Sequence, residues 1–289
     1  MENLIQLQKG NRICGVSMDG VDGEAVVINN DIVLKIVYTF SVWLQNKLGK
    51  ETPLKFSVGH DNRLTGWHFA QASCLGLVSA GNLVYDCEWS TTPSMGATVF
   101  DDELNCDGAV MVTASILPFG YNGLRFFTKS GEIEQASLTE ILELAETLET
   151  PFLLGGKRIP HPFIPTYAQG IIAKIRKLSG EERPFEGLKI IVDAGNGAGG
   201  FYPKLILQPL GADTTGSQYL EPDGHFPNRN PNPNDKKALD GMITAMVKFG
   251  ADFGMLFNSD ADDLVIVDAK GHIVQTDEKI GKVLIESLL

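Results

Sequence analysis

The chain has 289 residues, 43% hydrophobic and 21% charged, with a mean hydropathy near zero and a formal net charge of −12. Such a length accommodates two ordinary domains, each with its own core. The acidic balance argues against nucleic acid or an anionic membrane as partner, because both call for Lys and Arg to neutralise phosphates. No apolar run approaches the roughly 20 residues of a membrane span, and Met1–Gln6 lacks a signal-peptide pattern. The cysteines, Cys14, Cys74, Cys87 and Cys106, show no CxxC or other metal-ligand spacing. They fit structural thiols in a reducing compartment, and the expected location is the cytoplasm or an organelle interior.

In chain order, Asn29-Asn30-Asp31 precedes a helical stripe, Val33, Ile36, Val37, Phe40, Leu44 and Leu48, closed by Gly49. A strand over 54–58 runs into the loop Gly59–Arg63, a helix covers Gly66 to Ala80, and a strand near 83–85 leads to a loop containing Ser90-Thr91-Thr92-Pro93. Ser137-Leu138-Thr139-Glu140 reads as a capping box opening a helix through Leu148. The stretch Thr150–Pro165 is rich in Pro and Gly, which predicts neither helix nor strand and sets a division into domains 1–158 and 159–289. A helix over 167–178 then leads into a strand over 188–193.

A weak internal repeat links the halves. Val110–Thr113 runs into a polar loop, followed by Leu124–Phe127, a Lys129-Ser130-Gly131 turn and Ile133; Gly254–Phe257 does the same, followed by Leu264–Val267, Ala269-Lys270-Gly271 and Ile273. The pattern predicts an α/β fold: two similar three-layer α/β/α domains with mixed, mostly parallel sheets. Ligands of such sheets bind at loops leaving the carboxyl ends of strands. Four loops qualify: Gly59–Arg63, Ser90–Pro93, Thr113–Gly123 and Asn258–Asp263. In the last, residues 258, 260 and 262 can point oxygens inward from one tight loop, a spacing that suits Mg²⁺; a solvated acidic turn is the plain alternative. Ser115 is a candidate nucleophile or phosphoryl carrier, or simply a turn residue. Gly195–Gly200 carries a GxGxxG spacing, so a dinucleotide-binding turn is a rival, although Asp213 is poorly spaced as its ribose-binding acid.

Five segments, in order, resemble the α-D-phosphohexomutases, the phosphoglucomutase/phosphomannomutase family. Gly10–Gly15 stands where that family has an Asp-Ile-Arg-Gly type segment, and Val58–Gly66 resembles V-G-x-D-x-R-x-S-G. Thr113–Pro118 with Tyr121-Asn122-Gly123 resembles T-A-S-H-N-P-x-x-Y-N-G-x-K, the phosphoserine loop. Val192–Gly199 resembles the second domain's opening strand and turn, which accounts for the glycines without a dinucleotide, and Asn258–Asp263 resembles D-x-D-x-D-R.

The resemblance implies intramolecular phosphoryl transfer on hexose phosphates, with Ser115 as the phosphoserine and Arg63 and Arg125 as catalytic cations. It further implies that Asp61, Thr113 and Asn122 bind phosphate or substrate, and that Asn258, Asp260 and Asp262 hold Mg²⁺ as the cofactor. The expected ligand is a small phosphorylated sugar.

Departures from the family pattern are several. Cys14 and Arg12 replace the first motif's Arg and Asp, and Ile116 replaces the His after the serine. Arg125 replaces a Lys, keeping charge but not proton-shuttling ability, since its pKa exceeds ~12. Asn258 replaces a metal carboxylate, and Asp263 replaces an Arg. The family's third and fourth domains have no counterpart here, so this chain alone is expected to be inactive and a protein supplying those domains is an expected partner. Two readings follow: a mutase working only when completed, or a lapsed homologue that binds a phosphosugar or a protein without turnover.

Overall fold

The computed structural model describes residues 3–21, 23–50, 53–149 and 155–274, and the chain divides into two compact units. The first comprises Met1–Ala114 and Phe119–Phe163; the second comprises Ser115–Pro118 and Ile164–Leu289.

In the first unit, β1 (Gln8–Lys9) and β2 (Arg12–Val16) form a hairpin, followed by α1 (Asn30–Leu48). The Asn29 side chain accepts the Ile32 N–H at 3.0 Å, and Gly49, at φ 59°, ends the helix in the left-handed conformation that suits glycine. The expected stripe is the buried face: Val33, Ile36, Val37, Phe40 and Leu44 all lie within the core. Next come β3 (Lys55–His60), α2 (Gly66–Ser79), β4 (Leu83–Trp89), α3 (Thr92–Ala97) and β5 (Gly108–Val112). The unit is completed by β6 (Tyr121–Thr128), β7 (Gly131–Glu132), α4 (Gln135–Thr147) and β8 (Lys157–Pro160).

The strands form one mixed sheet in the order β1-β2-β6-β5-β3-β4-β8, with β7 added to β6. Strands β5, β3, β4 and β8 run parallel, and β6 runs antiparallel to β5. Phe56, Val58, Val84, Val110, Val112, Leu124 and Phe126 share one core with α1, α2 and α4. Phe40 of α1 packs against the Phe126 and Phe56 rings at 4.6 and 5.7 Å. The short α3 covers the other face, where Met95, Ala109 and Met111 are buried.

Three local expectations are corrected here. Ser90–Pro93 is not all loop: Thr91 caps α3 through a reciprocal capping box with Ser94. Helix α4 starts at Gln135, so Ser137 lies inside its first turn and caps nothing. Lys157–Pro160 is a strand, paired to β4 at the sheet's edge, where Pro160 needs no N–H for a ladder. The expected division at 158/159 falls within that strand, whereas the compact units divide after Phe163.

The second unit contains α5 (Ile164–Ser179), β9 (Ile190–Asp193), a 3₁₀ turn at Ala198–Phe201, a π-helical turn at Pro203–Leu207, α6 (Lys236–Phe249), β10 (Phe253–Phe257) and β11 (Leu264–Asp268). The sheet order is β11-β10-β9, with β9 parallel and β11 antiparallel to β10. Alternation along the strands sorts their side chains to two faces. Ile190, Val192, Met255, Phe257 and Ile266 pack with α5 and the Pro203–Leu207 turn, while Ile191, Leu256, Val265 and Val267 pack with α6. The three-layer α/β/α arrangement follows. The repeat is visible as the same motif in each unit: a parallel neighbour (β3 or β9), a strand ending in a polar loop (β5 or β10), and an antiparallel return (β6 or β11).

Candidate functional site

In the first unit the expected residues gather at the carboxyl ends of β3 and β5. The Asp61 amide donates to the Val112 carbonyl at 3.1 Å, which locks the loop after β3 to the end of β5. The Asp61 carboxylate is fully buried and is engaged by hydrogen bonds and an ion pair. Thr113 Oγ1 donates to Oδ2 at 2.7 Å, the Arg63 backbone N–H donates to Oδ1 at 3.1 Å, and Arg63 Nε lies 3.3 Å from Oδ2. Arg63 also donates from Nη1 to the Tyr121 carbonyl at 3.0 Å. Asp61 thus fixes both Thr113 and the guanidinium, and the buried pair keeps either charge from standing uncompensated.

Asn122 Nδ2 donates to Thr65 Oγ1 at 3.0 Å, and the Ser17 hydroxyl shares that oxygen at 3.0 Å. Thr65 belongs to the Val58–Gly66 motif without being a named site candidate, and Ser17 has no sequence signal; Ser17 enters because the loop after β2 closes onto this cluster. Arg12 and Cys14 instead sit within β2, where Cys14 lies opposite Gly123 of β6. Arg125 is 5% exposed, and its guanidinium grips Glu132 through Nε–Oε1 at 2.8 Å and Nη2–Oε2 at 2.9 Å. Expected as a catalytic cation, it forms a two-bond clamp between β6 and β7, and Glu132 had no sequence signal.

The second unit holds Ser115. Its φ of 52° is a left-handed conformation that costs a non-glycine residue about 1 kcal/mol and persists only where neighbours impose it. Two neighbours do so. Ser259 Oγ donates to the Ser115 carbonyl at 2.7 Å, and Asn258 Nδ2 donates to Ser115 Oγ at 2.9 Å. The same nitrogen donates to Asp260 Oδ1 at 2.8 Å and Asp262 Oδ1 at 2.6 Å. Ser115 Oγ stands 3.5 Å from Asp262 Oδ1. Asn258 Oδ1 accepts the backbone N–H groups of Asp262 and Asp263, both at 3.1 Å. Asn258 and Asp260 are fully buried, and burial, reinforced by the Asp262 charge, raises the Asp263 pKa.

Of the expected Mg²⁺ ligands, Asp260 and Asp262 both turn a carboxylate oxygen, the ligand type a hard cation requires, toward the Asn258 amide, and that of Asp262 also approaches Ser115 Oγ. Asn258 does not fit: it presents a nitrogen with two protons to those oxygens. Among the described residues no group of three or more His, Cys, Asp or Glu side chains is arranged to hold an ion.

Beneath this loop, Asp193 at the end of β9 is 1% exposed and pairs with Arg229 Nε at 2.8 Å. Arg229 Nη2 also donates to the Phe257 carbonyl at 2.7 Å, just ahead of Asn258. Nothing in the sequence marks Arg229, which lies in a Pro/Asn-rich stretch. The glycines of the GxGxxG spacing serve packing. A Cβ on Gly197 would lie 2.8 Å from Ser259 Cα, and one on Gly200 would strike the Leu220 carbonyl. The space a pyrophosphate would need is filled by protein, and Asp213 is engaged by Lys189 at 3.1 Å.

Residues 16–151 match the family model described as phosphoglucomutase/phosphomannomutase, alpha/beta/alpha domain I, and residues 165–271 match that of domain II. Gly10–Gly15, taken as the first motif, thus lies ahead of the matched span. Over 264 residues the chain is 32% identical to a phosphoglucomutase/phosphomannomutase of Thermococcus kodakarensis, covering 89% of this chain and 55% of that protein. It is 29% identical over 269 residues to a phosphoglucosamine mutase of Nautilia profundicola, covering 91% and 58% respectively. A solved structure of a phosphoglucomutase/phosphomannomutase family protein from Burkholderia thailandensis superposes with a TM-score of 0.79 at 24% identity, covering 96% of this chain and 57% of that one. The last likeness speaks for the fold. The chain spans little more than half the length of these relatives.

Proposed function

The chain belongs to the phosphoglucomutase/phosphomannomutase family, and from that footing we propose that it carries the phosphoserine half of a hexose-phosphate mutase, with Ser115 as the phosphoryl-carrying hydroxyl. The observation that supports this most is the posture of Ser115: a left-handed residue at a loop tip, its carbonyl held by Ser259 and its Oγ turned toward the 258–262 loop. In the step proposed, Ser115 Oγ attacks a phosphorus of a hexose bisphosphate. The Oγ–P bond forms, the sugar O–P bond breaks, and the serine proton ends on the departing sugar oxygen. The 3.5 Å approach of Asp262 Oδ1 supports a relay through that carboxylate. Return transfer to a hexose monophosphate reverses these bonds. The Asp61–Arg63–Thr113 cluster supports a phosphate-binding role beside the end of β5, since Asp61 pre-orients the Arg63 guanidinium.

The test is intact-protein mass spectrometry after incubation with a hexose 1,6-bisphosphate, with and without Mg²⁺. One phosphoryl increment, absent in Ser115→Ala, is expected; sustained interconversion of 1- and 6-phosphates by this chain alone is not. No increment at high bisphosphate refutes the proposal. It would favour the second reading, binding without turnover, which the Arg125–Glu132 clamp and the Asn258 amide support.

A further inference from the structure

We infer that the carboxamide of Asn258 substitutes for a divalent cation in the carboxylate loop, so that the loop closes on Ser115 Oγ without a metal. The amide's orientation is fixed from both ends. Its Oδ1 accepts two backbone N–H groups at 3.1 Å, and its Nδ2 faces three oxygens: Asp262 Oδ1 at 2.6 Å, Asp260 Oδ1 at 2.8 Å and Ser115 Oγ at 2.9 Å. A flip would set N–H against N–H on one side and the amide oxygen against two carboxylate oxygens on the other, so the network determines the assignment.

The geometry separates Asn from Asp at this position. An aspartate has two equivalent oxygens, one for the backbone amides of Asp262 and Asp263 and one for a cation. Asparagine keeps the first and replaces the second with an NH₂ group, which draws the oxygens together as a cation would but cannot ligate one. Mg²⁺ demands oxygen ligands at about 2.0–2.1 Å in near-octahedral geometry and parts reluctantly with its waters. To supply such an oxygen, Asn258 would have to rotate and give up both backbone bonds and its Nδ2 contacts in a fully buried position.

The decisive measurement is an Mn²⁺ titration of the full chain, with free ion followed by electron paramagnetic resonance and no sugar present. Failure of phosphoryl transfer to Ser115 would therefore leave the outcome untouched. The unsubstituted chain should show no site below about 1 mM. Asn258→Asp should take up one equivalent at least ten-fold more tightly, and adding Asp260→Asn should abolish that gain. Melting of the unsubstituted chain should not respond to MgCl₂ beyond an ionic-strength control, since a bound ion would raise it. A one-to-one Mn²⁺ site in the unsubstituted chain that Asp260→Asn removes would overturn the inference, as would a folded Asn258→Asp variant that gains no site. Should that variant not fold, the titration and melt of the unsubstituted chain still decide.

Discussion

Replacing Arg229 by Met tests whether the second unit depends on a buried ion pair at the root of its loop. The guanidinium side chain is 5% exposed and the Asp193 side chain 1%. The change removes the donor at 2.8 Å from Asp193 Oδ1, and with it the donors to the Phe257 carbonyl at 2.7 Å and the Asn230 carbonyl at 2.9 Å. Breaking a buried pair from one side costs about 3–5 kcal/mol, because the remaining charge has no counter-ion. Asp193 keeps two donors, the Gly195 N–H at 2.8 Å and Gln218 Nε2 at 2.9 Å, so the lower end, about 3 kcal/mol, is expected. For a unit of this size that is a fall in Tm of about 10 °C. Urea unfolding followed by far-UV circular dichroism measures the loss, and hydrogen exchange in 190–193 and 253–257 localises it. Asp193→Asn combined with Arg229→Met should recover at least half. A loss below about 1 kcal/mol, or a double variant no better than the single, would refute the reasoning.

Two further predictions concern titrating groups. Burial pushes the Cys74 and Cys106 thiols up to about 12, and Cys87 well above its ordinary value for the same reason. At pH 8 only about one Cys74 or Cys106 thiol in 10,000 is then ionised, so maleimide labelling of the native chain should spare all three until denaturant is added; rapid native labelling would contradict this. The Thr215 backbone N–H, at 2.9 Å, then the Thr215 side chain and the Lys189 ammonium, lower Asp213 to about 2. Its contribution to stability is therefore present above the ordinary carboxylate range and is lost as pH falls from there toward 2. Carbon-detected NMR of its carboxyl group should show a midpoint near 2, and a midpoint near 4 would rule out the bonding described.

What was legible in the sequence follows from locality. The α1 stripe with Asn29 and Gly49 at its ends, and the two strand–loop–strand motifs, depend on neighbours in the chain, and periodicity reports them. Thr91 and Ser94 are also local, yet they escaped because Pro93 reads as a breaker when it in fact occupies the first turn of a helix. Ser137 misled in the opposite sense: its capping pattern sits in a helix already begun at Gln135, after Ile133 donates its N–H to the Phe126 carbonyl. Arg229 and Ser17 carry no local mark, because their partners Asp193 and Thr65 lie 36 and 48 positions away; Glu132 pairs with Arg125 only 7 positions off, but no motif marks that cross-strand register. Ser115, Asp260 and Asp262 could be singled out as candidates from their motifs, but the direction in which the Asn258 amide faces is a tertiary fact. The backbone N–H groups of Asp262 and Asp263 and the oxygens of Ser115, Asp260 and Asp262 fix it together.

Strand β8 closes the first unit's sheet as an outer rim, and its composition matters for how copies of the chain behave in solution. A rim strand offers unused N–H and C=O groups to any passing strand, the usual start of cross-chain aggregation. Here the rim is only four residues long, opens with an exposed lysine and ends on a proline. Two copies meeting edge to edge would find a short ladder, like charges brought together and a missing donor. The stretch that reads from sequence as connecting chain thus blunts the sheet's sticky side.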